Sequence, residues 1–346
     1  MTRTSTTALE RDQGHETLAL AARLVTFIGS QVGDTSDVEV IELRRLPSGF
    51  SRENWHFRAR WGARRRRVER ELILRRDPRA GVVDTDRMVE FAVLQALSSS
   101  TVPTPEVLWI DRTGEHLGRP GLIMRHCVGA ADRHLLTGES QLSEEARIEL
   151  ARTGLQHLAE LHRVNWQVLG LNATLPDPGQ AAARVAVSVW EEQLHAQMLE
   201  PQPELVAVCE WLKERAPTSA TTTLVHGDWK PGNWLVDGDR FVVALDWELV
   251  HLGDPLEDLG WVTNPARRSQ HQIPGRWEGP QIVAAYEELT GAPVSDDDLA
   301  YWNVLATFKI AVVELTGVRA FCLGCSERPW RADTRLHRWL LEAISA

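Results

Sequence analysis

Residues 224–260 run LVHGDWKPGNWLVDGDRFVVALDWELVHLGDPLEDLG. His226-Gly227-Asp228 is followed by Asn233 five residues after the aspartate, and by Asp246 thirteen residues further on. Two short apolar runs, Trp234–Val236 and Phe241–Leu245, flank Asp237-Gly238-Asp239. An Asp-Gly step between apolar runs is a hairpin signal. The spacing therefore puts Asp228 and Asn233 on a loop that leads into a hairpin, and Asp246 where its second strand ends. Three oxygen-bearing side chains then converge on one mouth.

Phosphoryl transfer needs such a set. One loop aspartate orients and deprotonates a hydroxyl, while an asparagine and a second aspartate hold Mg²⁺ against nucleotide phosphates. Protein kinases space their catalytic Asp and metal-binding Asn in the same way, with a metal-binding Asp after a hairpin. A lone His-Gly-Asp carries little weight, because Asp, Asn and Gly favour turns anyway. The ordered set, ending in Asp246-Trp247-Glu248 and Gly253-Asp254-Pro255, carries much more.

Taken together, these motifs resemble the aminoglycoside phosphotransferase family of small-molecule kinases. The Asp-Trp-Glu ending and the GDPLEDLGW run (residues 253–261) are similar to the branch associated with acyl-CoA dehydrogenases. The resemblance runs from about Leu43 to the C-terminal helices. It implies an α+β, two-lobed, protein-kinase-like fold with a small β-rich N-lobe (1–126) and a larger, mainly helical C-lobe (127–346). It further implies ATP and Mg²⁺ as cofactors, Asp228 as catalytic base, and Asn233 and Asp246 as metal ligands. Lys230, two residues past Asp228, is a candidate for neutralising the transferred phosphoryl group. His226 reads as scaffold, and Asp254 and Asp258 as helix caps or ties for the catalytic loop.

Composition fits a soluble globular enzyme: 346 residues, 43% hydrophobic and 25% charged. The net charge of −10 argues against a nucleic-acid partner. The N-terminus is polar, and no apolar run is long enough to span a bilayer, so a cytoplasmic location without membrane attachment is expected. Four cysteines form no disulfide framework in a chain of this length. Cys322 and Cys325 form a lone CxxC; zinc would need two more ligands, with His337 the nearby candidate, and buried structural thiols are the expectation.

In chain order, residues 1–15 are polar and expected to fray, and apolar spacing predicts a helix over 16–31. Strands are predicted at 38–46, 53–60 and 68–76. The loop between the first two carries Ser48, Gly49 and Ser51, placed to meet nucleotide phosphates, with an ordinary turn as the alternative. The third strand ends Arg75-Arg76. Kinases put a phosphate-pairing Lys there; this chain has Arg75, the usual residue of the acyl-CoA dehydrogenase-associated branch, and Arg binds phosphate and carboxylate bidentately. Arg76 faces the other side of the strand. Glu90, on a helix predicted over 85–97, is the candidate partner of Arg75. Two further strands, at 107–111 and 120–124, lead to a hinge at 125–129. Helices are predicted at 143–163, 187–198, 204–214, 278–289, 296–323 and 331–344. His162 reads as a packing and hydrogen-bonding residue. Trp229, Trp247 and Trp261 read as core, with a wall of an apolar pocket as the alternative.

The acceptor is a small-molecule hydroxyl. An anionic one, of the hydroxyacyl-CoA kind, is favoured by the resemblance and by the nearly neutral balance of residues 261–346. The basic stretch from Arg319 to Arg338 is the candidate for gripping a phosphate-rich handle. Two alternatives stay open: an antibiotic (aminoglycoside or macrolide) phosphotransferase, and a nucleotide-binding regulatory pseudokinase.

Overall fold

The computed structural model describes residues 4–33, 37–46, 53–62, 67–77, 87–326 and 329–345, with side chains from residue 16 onward. The chain divides into two compact units, Met1–Gln95 with Pro105–Cys127, and Ala96–Thr104 with Val128–Ala346. The first is a small antiparallel-sheet lobe and the second is mainly helical, so the α+β fold class is the expected one.

The small lobe opens with helix α1 (Thr4–Val32), followed by strands β1 (Glu39–Arg45), β2 (Glu53–Trp61) and β3 (Val68–Arg76). Helix α2 (Arg87–Leu97) and strands β4 (Val107–Asp111) and β5 (Gly121–Arg125) complete it. The sheet runs β1-β2-β3-β5-β4, every pair antiparallel. Its core shows both sequence periods at once. Leu20, Leu24, Phe27 and Ile28 recur on one face of α1, and Trp55, Phe57 and Ala59 alternate along β2 with Leu72 and Leu74 of β3. Helix α1 starts at Thr4, not near Glu16, so residues 4–15 are helical where an irregular segment was expected. Nothing between Thr4 and Gln13 breaks a helix, and Ala8-Leu9-Glu10-Arg11 are strong helix formers.

Strand alternation decides the fate of the two arginines. Arg76 shares the face of Leu72 and Leu74 and is buried, paired with Glu16 of α1 at 3.0 Å and Glu53 of β2 at 2.9 Å. Arg119 reaches the same two carboxylates. Arg75 faces the opposite side.

In the large lobe, helices α3 (Glu144–His162), α4 (Ala182–Gln197) and α5 (Pro203–Glu214) precede the strand β6 (Thr223–Val225). The predicted hairpin is β7 (Trp234–Asp237) with β8 (Arg240–Ala244), and β9 (His251–Gly253) returns to pair with β6. Then follow α6 (Leu256–Thr263), the single turn α7 (Arg268–His271), α8 (Gly279–Thr290), α9 (Asp296–Cys322) and α10 (Thr334–Ser345). Helix ends obey local chemistry. Ser143 Oγ accepts from Ala146 N and Ser295 Oγ from Asp298 N, and Pro203 opens α5, where its missing N–H costs nothing. A core of α4, α5, α9 and α10 side chains, including Leu205, Trp302, Leu305 and Phe308, fills the lobe.

The cysteines depart from expectation. Cys322 and Cys325 are exposed, and only Cys209 is buried. Cys322 lies in the last turn of α9 and Cys325 just beyond it, where the helix has left its packing surface. Among the described residues, no helix is long and apolar enough to cross a membrane.

Candidate active site

Strand β6 is wholly buried and delivers the chain to His226-Gly227-Asp228. Gly227 has φ +79°, and a Cβ there would sit 3.0 Å from Leu249, so only glycine fits without strain. The loop is then pinned from α6. Asp258, fully buried, accepts hydrogen bonds from the backbone N–H groups of His226 (2.7 Å) and Gly227 (2.8 Å). His162 Nε2 lies 3.3 Å from the same carboxylate, and its Nδ1 is 2.6 Å from the Tyr286 hydroxyl. Burial alone would raise the pKa of Asp258, but His162, His226 and the backbone donors hold it below the carboxylate range. Asp254 caps α6 through Leu256 N at 2.8 Å.

A second tie comes from α9. Lys309 Nζ donates to Glu257 at 2.7 Å and to the Gly227 carbonyl at 3.2 Å, and His251 Nε2 lies 3.1 Å from Glu257. Lys309 and Glu257 are each 3% exposed. Burial opposes the charge on Glu257, yet Lys309 and His251 keep it ionised far below its usual range.

His226 itself is buried between Trp229 and Trp247, with ring centroids 5.3 and 4.7 Å away. Its Nδ1 accepts from Asp228 N at 3.2 Å, and its Nε2 therefore donates to the Leu245 carbonyl at 3.0 Å. Burial pushes its pKa down, although Asp258, Asp228 and Asp246 all act to raise it. Both ring nitrogens are engaged with backbone, so this histidine is scaffold. It also couples the loop to the end of β8, where Leu245 N donates to the Asn233 carbonyl at 2.7 Å.

Asp228, Lys230 and Asn233 are brought together by this frame, and Asp246 lies close enough to His226 to act on its charge. Asp228 Oδ2 accepts from Lys230 Nζ at 2.5 Å and from Asn233 Nδ2 at 2.9 Å. Asn233 Nδ2 also donates to the Asp228 carbonyl at 3.0 Å. Asp228 Oδ1 is buried with no hydrogen-bond partner in the protein. Asp246 follows β8 in a left-handed conformation (φ +66°, ψ 58°), which a non-glycine residue adopts only where its surroundings impose it. The strained Asp246 carboxylate and the Asn233 amide oxygen, whose nitrogen is already engaged with Asp228, are oxygen donors of the kind Mg²⁺ takes. Glu248 lies in the short turn after Asp246.

In the small lobe, Arg75 Nη1 and Glu90 Oε1 are 3.2 Å apart, with side chains 10% and 2% exposed. Arg87 adds a second positive charge 3.8 Å from the other Glu90 oxygen. Ser48, Gly49 and Ser51 lie outside the described residues.

Sequence reasoning missed Lys309, Glu257, Arg267 and His271. A lysine inside the apolar run Ala306-Thr-Phe-Lys-Ile-Ala-Val312 was the available signal for the first. Arg267 feels the Asp228 carboxylate, and buried His271 feels Arg267 and Lys230. No pattern announces them. Trp229, Trp247 and Trp261 are core residues.

Beside the loop lies a cavity of about 590 Å³ whose walls carry Arg133, Arg147, Arg268 and His134 against Glu139 and Glu278. Arg133 reaches the catalytic loop itself, packing 3.4 Å from where a Cβ on Gly232 would be.

The chain is 30% identical to acyl-CoA dehydrogenase family member 10 of Mus musculus over 228 residues, which is 64% of this chain and 20% of that protein. The chain thus spans only about a fifth of that relative. A solved structure from Ralstonia eutropha, a candidate aminoglycoside phosphotransferase, superposes with a TM-score of 0.70 at 19% identity, covering 93% of this chain and 95% of that one. A macrolide 2'-phosphotransferase from Brachybacterium faecium gives 0.55 at 19% identity, covering 92% and 96%. At such identities these two likenesses establish the fold. The model of the phosphotransferase enzyme family matches residues 42–293, from β1 through the whole catalytic loop, and the chain belongs to that family.

Proposed function

We propose that this chain phosphorylates a hydroxyl of an anionic metabolite of the hydroxyacyl-CoA class, with Asp228 as the group that receives the hydroxyl proton. Family membership supports phosphoryl transfer, with ATP as donor, Mg²⁺ as cofactor and a small-molecule hydroxyl as acceptor.

The observation that carries the proposal is the Asp228 carboxylate. Lys230 and Asn233 fix one oxygen, and the other is buried with no protein donor, ready for a substrate hydroxyl. With one oxygen anchored, the carboxylate orients the nucleophile, and positioning is the larger service because transfer passes through a loose transition state. Lys230 keeps a positive charge beside the transferred group. Asn233 and Asp246 would hold Mg²⁺, which when bound neutralises charge on the nucleotide phosphates. Arg75, fixed by Glu90, is the small lobe's candidate for pairing nucleotide phosphates. The regulatory reading is disfavoured because Asp228, Asn233 and Asp246 are all present.

The acceptor class is supported by the arginine-walled cavity beside the loop. Three arginines against two glutamates suit an anion, whereas a polycationic antibiotic asks for an acidic wall. These arginines differ from the C-terminal ones considered from sequence; Arg335 there is engaged with Asp333 at 2.6 Å. The relative's name, an acyl-CoA dehydrogenase, points to the same chemical class.

The test is phosphate transfer from ATP to a panel of hydroxyacyl-CoA compounds, kanamycin and a macrolide. We expect turnover with at least one hydroxyacyl-CoA. Arg133→Ala and Arg268→Ala should each raise its KM about tenfold, the scale of one lost charge-assisted contact of about 1.4 kcal/mol, with the ATP constant unchanged. Robust transfer to kanamycin with none to any hydroxyacyl-CoA overturns the acceptor class but leaves the catalytic roles standing.

A further inference from the structure

We propose that the small lobe carries a transition-metal site, suited to Zn²⁺, built by His56, Glu71 and His126, none of which belongs to the oxygen-donor set of the catalytic loop.

The sheet register creates the cluster. His56 of β2 pairs opposite Ile73 of β3, and Glu71 lies two residues before Ile73, on the same face. Leu72 and Leu74 take the opposite face into the core. His126 directly follows β5, and its N–H donates to the Glu71 carbonyl at 3.0 Å, which brings its ring alongside. One carboxylate oxygen of Glu71 lies 3.5 Å from His56 Nε2 and 3.2 Å from His126 Nδ1. The ligand atoms of all three residues fall within 4.8 Å of one another. Zinc–ligand bonds of roughly 2.0–2.2 Å at tetrahedral angles put ligand atoms about 3.3–3.5 Å apart, close to the two separations between Glu71 and the histidines.

A second observation concerns His56. It is 6% exposed, its Nδ1 is buried with no hydrogen-bond partner, and its Nε2 faces Glu71 at a distance too long for a good hydrogen bond. A buried imidazole ordinarily satisfies both nitrogens. Coordination through Nε2 would replace that long contact with Glu71 and fix the ring in place. Glu71 and His126 are 49% and 27% exposed, leaving an entry path and a fourth position for water. Two imidazoles and one carboxylate select zinc or a neighbouring transition ion over Mg²⁺, which takes oxygen ligands. Among the described residues no other group of His, Cys, Asp and Glu side chains comes this close together, and the CxxC of Cys322 and Cys325 gathers no third ligand. The site would join β2, β3 and the segment after β5 by one ion.

The test titrates Zn²⁺, and separately Co²⁺, into metal-free full-length protein carrying Cys322→Ser and Cys325→Ser, which removes the exposed thiols as competitors. We expect one equivalent bound at micromolar Kd or tighter, a visible Co²⁺ absorption of tetrahedral intensity, and a raised Tm. His56→Gln, Glu71→Gln and His126→Gln should each weaken binding at least tenfold while leaving the metal-free Tm within a few degrees. Because a variant could misfold, the unmodified chain with ¹⁵N-labelled histidine provides a second readout: Zn²⁺ should shift the ring nitrogens of His56 and His126 together. Absence of stoichiometric binding, unchanged affinity in the three variants, or no shift at those two rings overturns the site.

Discussion

Asp228 has one oxygen fixed by Lys230 and Asn233 and one buried without a donor, an arrangement that is costly unless something binds there. Asp228→Asn keeps the size of the side chain but loses its charge and basicity. It should leave nucleotide binding nearly intact and lower kcat at least about a hundredfold, the scale of a positioned acid–base group. Normal single-turnover kinetics in the variant would remove Asp228 from the base role. Asp246 makes a different demand. Its left-handed backbone tolerates asparagine but strains most other residues, so Asp246→Asn isolates the charge from the conformation. The variant should fold normally and bind a nucleotide analogue with a weaker Mg²⁺ dependence, seen by titrating Mg²⁺ at fixed nucleotide. Coincident curves for variant and parent would take Asp246 out of the metal set.

At the scale of elements, the catalytic loop is a short irregular segment held by α3, α6 and α9 through buried charges. The turn α7 adds a buried histidine close to the positive charges of Arg267 and Lys230. Burial, then those two charges, push the pKa of His271 down to about 3, against about 6.5 in an unfolded chain. Below pH 6.5 the unfolded state takes up a proton that the folded state refuses, so stability falls as pH drops. Between pH 7 and pH 5 this linkage removes about 2 kcal/mol. In urea unfolding, His271→Leu should lose correspondingly less stability over that interval than the parent. Parallel pH profiles for the two proteins would show that His271 titrates normally in the fold.

Among the described residues, one hydrophobic core lies between α1 and the sheet and another among α4, α5, α9 and α10, with a smaller cluster of Trp261, Ala306, Ile310 and Leu336 in the large lobe. Two cores without a shared set of side chains favour unfolding that is not two-state. Guanidinium unfolding should resolve two transitions, with Leu74→Ala and Leu305→Ala each destabilising a different one by about 2–5 kcal/mol. If both variants shift a single common transition, the lobes fold as one cooperative unit.

Short-range rules govern the parts of the fold that are legible in the chain. The hairpin after Asn233, the helix cap at Ser143 and the α1 stripe of Leu20, Leu24, Phe27 and Ile28 depend on turn chemistry, capping and periodicity, all legible within a few residues. The ordered Asp228, Asn233 and Asp246 were legible for the same reason, because one loop and one hairpin carry all three. Tertiary structure alone decided the rest. Lys309 reaches Gly227 across 82 residues, His162 reaches Asp258 across 96, and His126 meets His56 only through sheet order. Arg76, one residue from Arg75, became the centre of a buried ion cluster because Glu16, Glu53 and Arg119 arrive from three other segments. A buried charge is stable only beside its partners, and which partners arrive is set by how distant elements pack.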